Sequence, residues 1–254
     1  MTVATQTQTL RHPPIVEAVL DIECDFAPDQ SIVGLEAAAV EKLRDRYPKL
    51  RKAFIHQVKF DLDTGSAVEK DIPVPRVSAL QFLPDDEKQL VQFRDTGYSF
   101  NRLAPYSSLD EYLLEIQRTW DIFRNLTAPI QIRMVRLRYI NRLNLPFAAG
   151  QINLNTYFKV GPRLPDEDRL SLVGFLHQHQ LFEKKTGHRI TTVLAASEVK
   201  GNKLPIIFDN MVAASVDIDP ADWQRFEVTI KSLRRLKNRI FYDTLTPECL
   251  NLFQ

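Results

Sequence analysis

Hydrophobic and polar positions along this chain fall into short blocks whose periods predict strands and helices in an order that repeats. In "PPIVEAVLDIECDF", Leu20, Ile22, Cys24 and Phe26 alternate with Asp21, Glu23 and Asp25, the two-residue period of a strand with one wet face. "DQSIVGLEAAAVEKLRDRYP" reads as a helix stopped near Pro48. "KAFIHQVKFDL", "RVSALQFLP" and "KQLVQFRDTGYSF" read as three strands, with Pro84, Asp85, Asp86 and Glu87 as a hairpin turn between the last two. In "SLDEYLLEIQRTWDIFRNL", Leu109, Tyr112, Leu113, Ile116, Trp120 and Phe123 recur at steps of three and four, which predicts a long amphipathic helix.

The second half follows the same order. "IQIRMVRLRYINRLNLP" is a strand carrying Arg133, Arg136, Arg138 and Arg142, and a short helix is expected near "NLNTYFK". "RLSLVGFLHQHQLF", "HRITTVLAASEV" and "KLPIIFDNMVAASVDI" read as a three-stranded antiparallel meander with tight turns at "KKTGH" and "KGNK". A second long helix follows, with Asp219 as the expected N-cap, Pro220 at its first position, and an apolar stripe of Trp223, Phe226, Ile230, Leu233, Ile240 and Phe241. Thr246 caps a last helical turn. The expected class is α+β: mostly antiparallel sheet backed by two long helices, a pseudo-duplicated strand, helix, three-strand, helix unit. Residues 1–128 form the first half and 129–254 the second, either as two domains or as one continuous domain. The polar residues 1–12 are expected to fray.

Composition narrows the function classes. The 254 residues suffice for a substantial core, and 44% hydrophobic with 26% charged residues is ordinary for a globular chain. Basic and acidic residues number 33 and 32, so a nucleic-acid or membrane partner would have to be recognised by local clustering. Cys24 and Cys249 are the two cysteines, which argues against a disulfide framework and fits a reducing compartment. There is no secretory pattern at the N-terminus, no run of about 20 apolar residues, and no GxGxxG or Walker loop. The expectation is a cytoplasmic protein with no membrane partner and no cofactor.

Four constellations merit weighing. On the arginine-rich strand, Val135, Leu137, Tyr139 and Leu143 share one face and Arg136, Arg138 and Arg142 the other. Side chains two apart on a strand stand about 7 Å apart, close to the spacing of phosphates along one nucleic-acid strand, and the guanidinium fork suits carboxylate or phosphate. Tyr139 and Asn141 are expected to shape that anion site. The alternative is cross-strand pairing with Asp21, Glu23 and Asp25. On the last long helix, Lys231, Arg234, Arg235, Asn238 and Arg239 occupy one arc, a candidate nucleic-acid ridge, although Glu227 can pair with Lys231. His177 and His179 have an HxH spacing suited to a metal, with His188 or Asp209 needed as a further ligand; partly buried, hydrogen-bonded histidines are the simpler reading. Glu17, Asp21 and Asp217 are strand-edge acids with no shown convergence, and neither cysteine has an electropositive context. Pro13, Pro14 and the loop at 161–169 are candidate partner-facing elements.

"PPIVEAV", "RLRYINRL" and "LRRLKNRIFYDTLTPECLNLF" together resemble a sporadically distributed bacterial protein family of about 250 residues, close to the length of this chain. The resemblance implies a free-standing bacterial protein, an accessory gene product of mobile or defence-type (antiviral) loci, and carries over no catalytic residue. Taken together, the expectation is a non-enzymatic binding protein for a protein segment or a small anionic ligand. A nucleic-acid-binding accessory factor is the alternative, and an open sheet edge is a candidate homodimer contact.

Overall fold

A computed structural model describes residues 10–28, 30–55, 76–147, 152–161, 169 and 173–254. The order of elements is β1 (Ile15–Asp25), a 3-10 turn (Ile32–Leu35), α1 (Glu36–Leu43), β2 (Lys49–Ile55), β3 (Arg76–Leu83), β4 (Gln89–Arg94), β5 (Gly97–Leu103) and α2 (Leu109–Thr127). The chain continues as β6 (Gln131–Pro146), a 3-10 turn (Leu154–Thr156), β7 (Leu176–Phe182), β8 (Arg189–Ala196), β9 (Lys203–Ile218), α3 (Trp223–Thr244) and α4 (Pro247–Asn251). This is an α+β fold built on one large antiparallel sheet of nine strands in the order β2-β3-β4-β5-β1-β6-β9-β8-β7. Among the described residues no helix is long and apolar enough to cross a membrane.

The central pair joins the two halves. β1 runs antiparallel to β6 with Leu20 opposite Leu137, Asp21 opposite Arg136 and Ile22 opposite Val135. Because side chains alternate, this register places Leu20, Ile22, Val135 and Leu137 in the core on one face and the charged residues on the other. α2 and α3 cover the apolar face and run antiparallel to each other: Asp110 meets Arg234 at one end, and Trp120 stacks on Phe226 toward the other. The main core, which includes Ile22, Phe93, Tyr98, Trp120, Phe123, Val135, Phe226 and Leu233, draws on both halves of the chain. A second apolar cluster of Leu143, Leu145, Phe208, Phe241, Leu245 and Cys249 closes the end where α4 docks.

Several expected elements differ in detail. "KQLVQFRDTGYSF" is two strands, β4 and β5, turning at Asp95–Thr96, so four strands rather than three follow α1. Gly97 permits this, with φ at +146° and a position where a Cβ would stand 1.9 Å from the Ile22 carbonyl oxygen. The first expected helix divides into a 3-10 turn and the eight-residue α1, which ends well before Pro48. The short helix near "NLNTYFK" is a single 3-10 turn. Asp222, not Asp219, caps α3 by accepting from the Arg225 amide; Asp219 accepts from the Ala221 amide in the turn just before it. Beyond Ile55, the strand expected over "KAFIHQVKFDL" lies outside the described residues, as do residues 1–9.

Gly97→Ala is expected to lower unfolding stability in urea by about 3 kcal/mol or more, because the new methyl meets backbone rather than a movable side chain. Gly34→Ala, whose Cβ would meet nothing within 4 Å, should stay within about 0.5 kcal/mol of the parent.

Candidate functional site

The arginines of β6 lie on the face of the sheet away from α2 and α3, and most are held by acids. Arg136 bridges Asp21 at 2.8 Å and Glu23 at 2.5 Å, while Arg94 from β4 also grips Asp21. Arg138 makes a forked contact with Asp209, Nη2 to Oδ2 at 2.6 Å and Nε to Oδ1 at 3.0 Å. Arg133 pairs with Asp25 and with Asp217, the latter at 3.0 Å. Arg142 is exposed and makes no ion pair among the described residues. A hydrogen-bonded row of Gln81, Gln92, Ser99, Asn101 and Glu17 extends this polar face across β3, β4, β5 and β1. The acids of β1 and β9 therefore occupy the guanidinium forks that an external anion would use.

Tyr139 and Asn141 point the other way, into the helix-covered side, and are separated from the arginines by the thickness of the sheet. There they join a seam of buried polar groups. On β6 Asn141 lies between Tyr139 and Leu143, on β9 Asn210 lies between Phe208 and Val212, and on α3 Lys237 lies between Leu233 and Phe241. The seam divides the two apolar clusters. Asn141 donates to the carbonyls of Tyr139 and Phe208, and Asn210 donates to the Lys237 carbonyl. The Asn210 Oδ1 is buried and accepts nothing among the described residues.

At one end the seam opens into a cleft of about 330 Å³, within the range of small-molecule sites. Its floor is Tyr139 and Asn141; one wall is α3, with Arg234, Lys237, Asn238, Phe241 and Tyr242, and the opposite wall is Tyr106, Ser107, Ser108 and the start of α2. Leu10, Pro13, Pro14 and Ile15 form the rim. The Tyr106 and Tyr139 hydroxyls are hydrogen-bonded at 2.8 Å, and burial pushes both phenols up, so both stay protonated. Ser108 takes the N-cap position of α2, but its side chain makes no capping hydrogen bond, so the first amides of this 19-residue helix have no side-chain acceptor from it.

Lys237 is the unusual member. It is 8% exposed, and its ammonium lies 3.6 Å from the centroid of the Tyr139 ring. Among the described residues it has neither an ion-pair partner nor a hydrogen-bond acceptor. Burial, aided by the charge of Arg234, pushes it down to about 7. The neighbouring acid, Asp110, is already taken by Arg234 at 2.7 Å. The cleft thus mixes aromatic rings with serine, asparagine and arginine side chains, around one amine that has no partner among the described residues and beside a helix start that Ser108 does not cap.

The other expected sites are less coherent. Of the helix ridge, Lys231 pairs with Glu227, Arg234 with Asp110 and Arg239 with Glu183; Arg235 is exposed and unpaired among the described residues. The His177 and His179 rings are 4.4 Å apart, and His177 is pushed down by burial and by its neighbour. His188 instead reaches Ser232 at 3.3 Å, and Asp209 faces the opposite side of the sheet, so among the described residues no cluster of three metal-binding groups forms. Both cysteines are buried and their thiols are pushed up to about 12 by burial, which removes them as nucleophiles. Most of the loop at 161–169 lies outside the described residues.

Lys237, Tyr106, Ser108 and Tyr242 were not among the sequence candidates. One signal for Lys237 was present: Phe226, Ile230, Leu233, Lys237 and Phe241 recur at steps of three and four, which puts a lysine on the buried stripe. Tyr106 and Ser108 are brought to the cleft only by tertiary packing. No protein-family model matches this chain, and no curated protein matches it significantly.

Two outcomes are expected. Lys237 binds a proton in the unfolded chain up to about pH 10.4 but in the folded protein only to about pH 7. The unfolded state therefore holds more protons between these values, and stability from this group rises with pH across that window, by at most about 1.4 kcal/mol per unit. Urea denaturation from pH 6.5 to 10 should show that slope in the parent and lose it in Lys237→Met. Arg138→Met should cost about 1 kcal/mol, because it strands Asp209, and should leave any ligand binding in the cleft unchanged when measured by calorimetry.

Proposed function

We propose that this chain is a non-enzymatic binding protein whose cleft, between α3 and the start of α2, holds a small ligand with a carboxylate or phosphate on an apolar or aromatic body. The observation that carries this reading is Lys237, a buried amine with no acid partner among the described residues, at the wall of a cleft that mixes aromatic and polar side chains. Burying an ion without a partner costs several kcal/mol, and a ligand anion would supply the missing charge. The start of α2, which Ser108 does not cap, borders the same space, with Asp110 in its first turn paired to Arg234 and Glu111 hydrogen-bonded by Ser107. Tyr106, Tyr139, Phe241 and the prolines at 13 and 14 offer flat apolar walls for the remainder of the ligand. The residues of the cleft come from all three of the motifs "PPIVEAV", "RLRYINRL" and "LRRLKNRIFYD".

The strand order also supports reading the chain as a pseudo-duplicated unit within one continuous domain. β5 flanks β1 as β9 flanks β6, and α2 follows β5 as α3 follows β9. The halves depart from each other in the extra strand β2 and in the 3-10 turn at Leu154–Thr156, which takes the place of α1. On this reading both helix–sheet layers form one half-cleft each, and the ligand sits where they meet.

Calorimetry with benzoate and phenyl phosphate, beside the neutral benzamide at matched ionic strength, tests the assignment. Both anions should bind and benzamide should not. Lys237→Met should weaken the anions about 10- to 100-fold, the value of a charge-assisted hydrogen bond. Because the anion favours the protonated amine, affinity should fall as pH rises above about 7, by at most tenfold per unit. Equal binding of benzamide, or unchanged affinity in Lys237→Met, would remove the reading.

A further inference from the structure

We propose that Lys237 captures its ligand covalently, as an imine, and that the ligands of this cleft are small anionic aldehydes or ketones. The inference rests on the anion-binding reading of the cleft and deepens it. An amine that attacks a carbonyl must be unprotonated, free of hydrogen-bonded partners and open to the substrate. Lys237 meets the structural conditions: it lines the cleft, is nine-tenths buried, and donates to no acceptor among the described residues. Its surroundings are those that disfavour an ammonium. The groups facing it are the cationic Arg234 on its own helix, the face of Tyr139 from β6, and the Tyr106 phenol from the segment before α2. Asp110, the acid that reaches the neighbouring Arg234, is engaged by it, and among the described residues no carboxylate pairs with the amine. Desolvation together with a neighbouring cation is a known way to activate a lysine toward carbonyls.

The chemistry balances without an added reagent. The Lys237 nitrogen lone pair forms a bond to the carbonyl carbon, and the π pair moves to oxygen, which takes up the nitrogen's proton to give a carbinolamine. Loss of the hydroxyl as water then forms the C=N bond. The leaving hydroxyl needs a proton, and the Tyr106–Tyr139 phenol pair in the cleft wall can lend one and regain it from the nitrogen. Both phenols remain protonated near neutrality, as this step requires. The protonated amine attracts the anionic ligand on entry, and once the neutral imine has formed the anionic group is left for Asn238 and Ser108, which line the same space. Nothing in the reaction demands turnover, so the product is a reversible covalent complex.

The probe is 4-carboxybenzaldehyde, a benzoate isostere carrying a carbonyl, supplied at limiting concentration at pH 7 with sodium borohydride to reduce any imine. Peptide mapping then compares Lys237 with Lys231, an exposed lysine on the same helix. Lys237 should carry at least tenfold more label than Lys231, and excess benzoate should suppress the label at Lys237 alone. Labelling of the two lysines to the same extent, while benzoate still binds by calorimetry, would overturn the covalent step and leave the anion cleft standing. If benzoate does not bind either, both readings fall together. Tyr106→Phe, which keeps the ring, should slow labelling of Lys237 severalfold. An unchanged labelling rate would remove the phenol pair from the step.

Discussion

The antiparallel pairing of β1 with β6 is the contact on which the rest of this molecule depends. It is the only strand pair that joins the two halves of the chain among the described residues, and it works on both faces of the sheet. On one face Leu20 and Ile22 meet Leu137 and Val135 beneath α2 and α3; on the other Asp21 and Glu23 meet Arg136. A slip of one residue would exchange these faces, placing arginines in the core and leucines in water. The charges therefore specify register as much as they stabilise it. Arg94 and Arg136 both converge on Asp21, so the fixing extends across β4, β5, β1 and β6.

The same alternation makes the cleft. Tyr139 and Asn141 are carried to the helix side because Arg138 and Arg142 are carried away from it. Once there, Asn141 is satisfied by two strand carbonyls, whereas among the described residues Lys237 finds only the face of Tyr139. A cation–π contact contributes about 2 kcal/mol when desolvated, less than the several kcal/mol that burying an unpaired ion costs. The amine consequently sits close to neutrality in its proton balance. At the opposite end of the helix pair, the space between the helices is filled by Trp120, Phe123 and Phe226, with the Trp120 indole donating to the Pro220 carbonyl. One end of the helix layer is closed by aromatic packing, and the other is left open around a lysine.

Much of the fold was legible in the alternation of residues. The wet and buried faces of β1 and β6, the apolar stripe of α2 and the antiparallel meander of β7, β8 and β9 all follow from local period. The split of β4 from β5 was harder to see, because Asp95, Thr96 and Gly97 interrupt the pattern only briefly, and the need for glycine comes from Ile22, far away in sequence. The site was legible only in pieces. Tyr139, Asn141, Arg234, Pro13 and Pro14 were each singled out, but were assigned to three different surfaces. The arginines drew attention by number, while the informative residue was a lysine out of place among apolar neighbours. Whether a cation is compensated is a tertiary fact: only the structure gives two acids to Arg136 and, among the described residues, none to Lys237.

The central claim is that Lys237 is a buried amine, without an acid partner among the described residues, ready to be completed by a ligand anion. Nitrogen NMR of lysine labelled at Nζ, assigned with Lys237→Arg and titrated from pH 5 to 11, measures this directly. The account predicts a midpoint near 7 for Lys237 in the free protein, moving upward when benzoate is added. A midpoint near 10.4, the value of a solvated lysine, that benzoate does not move would contradict it.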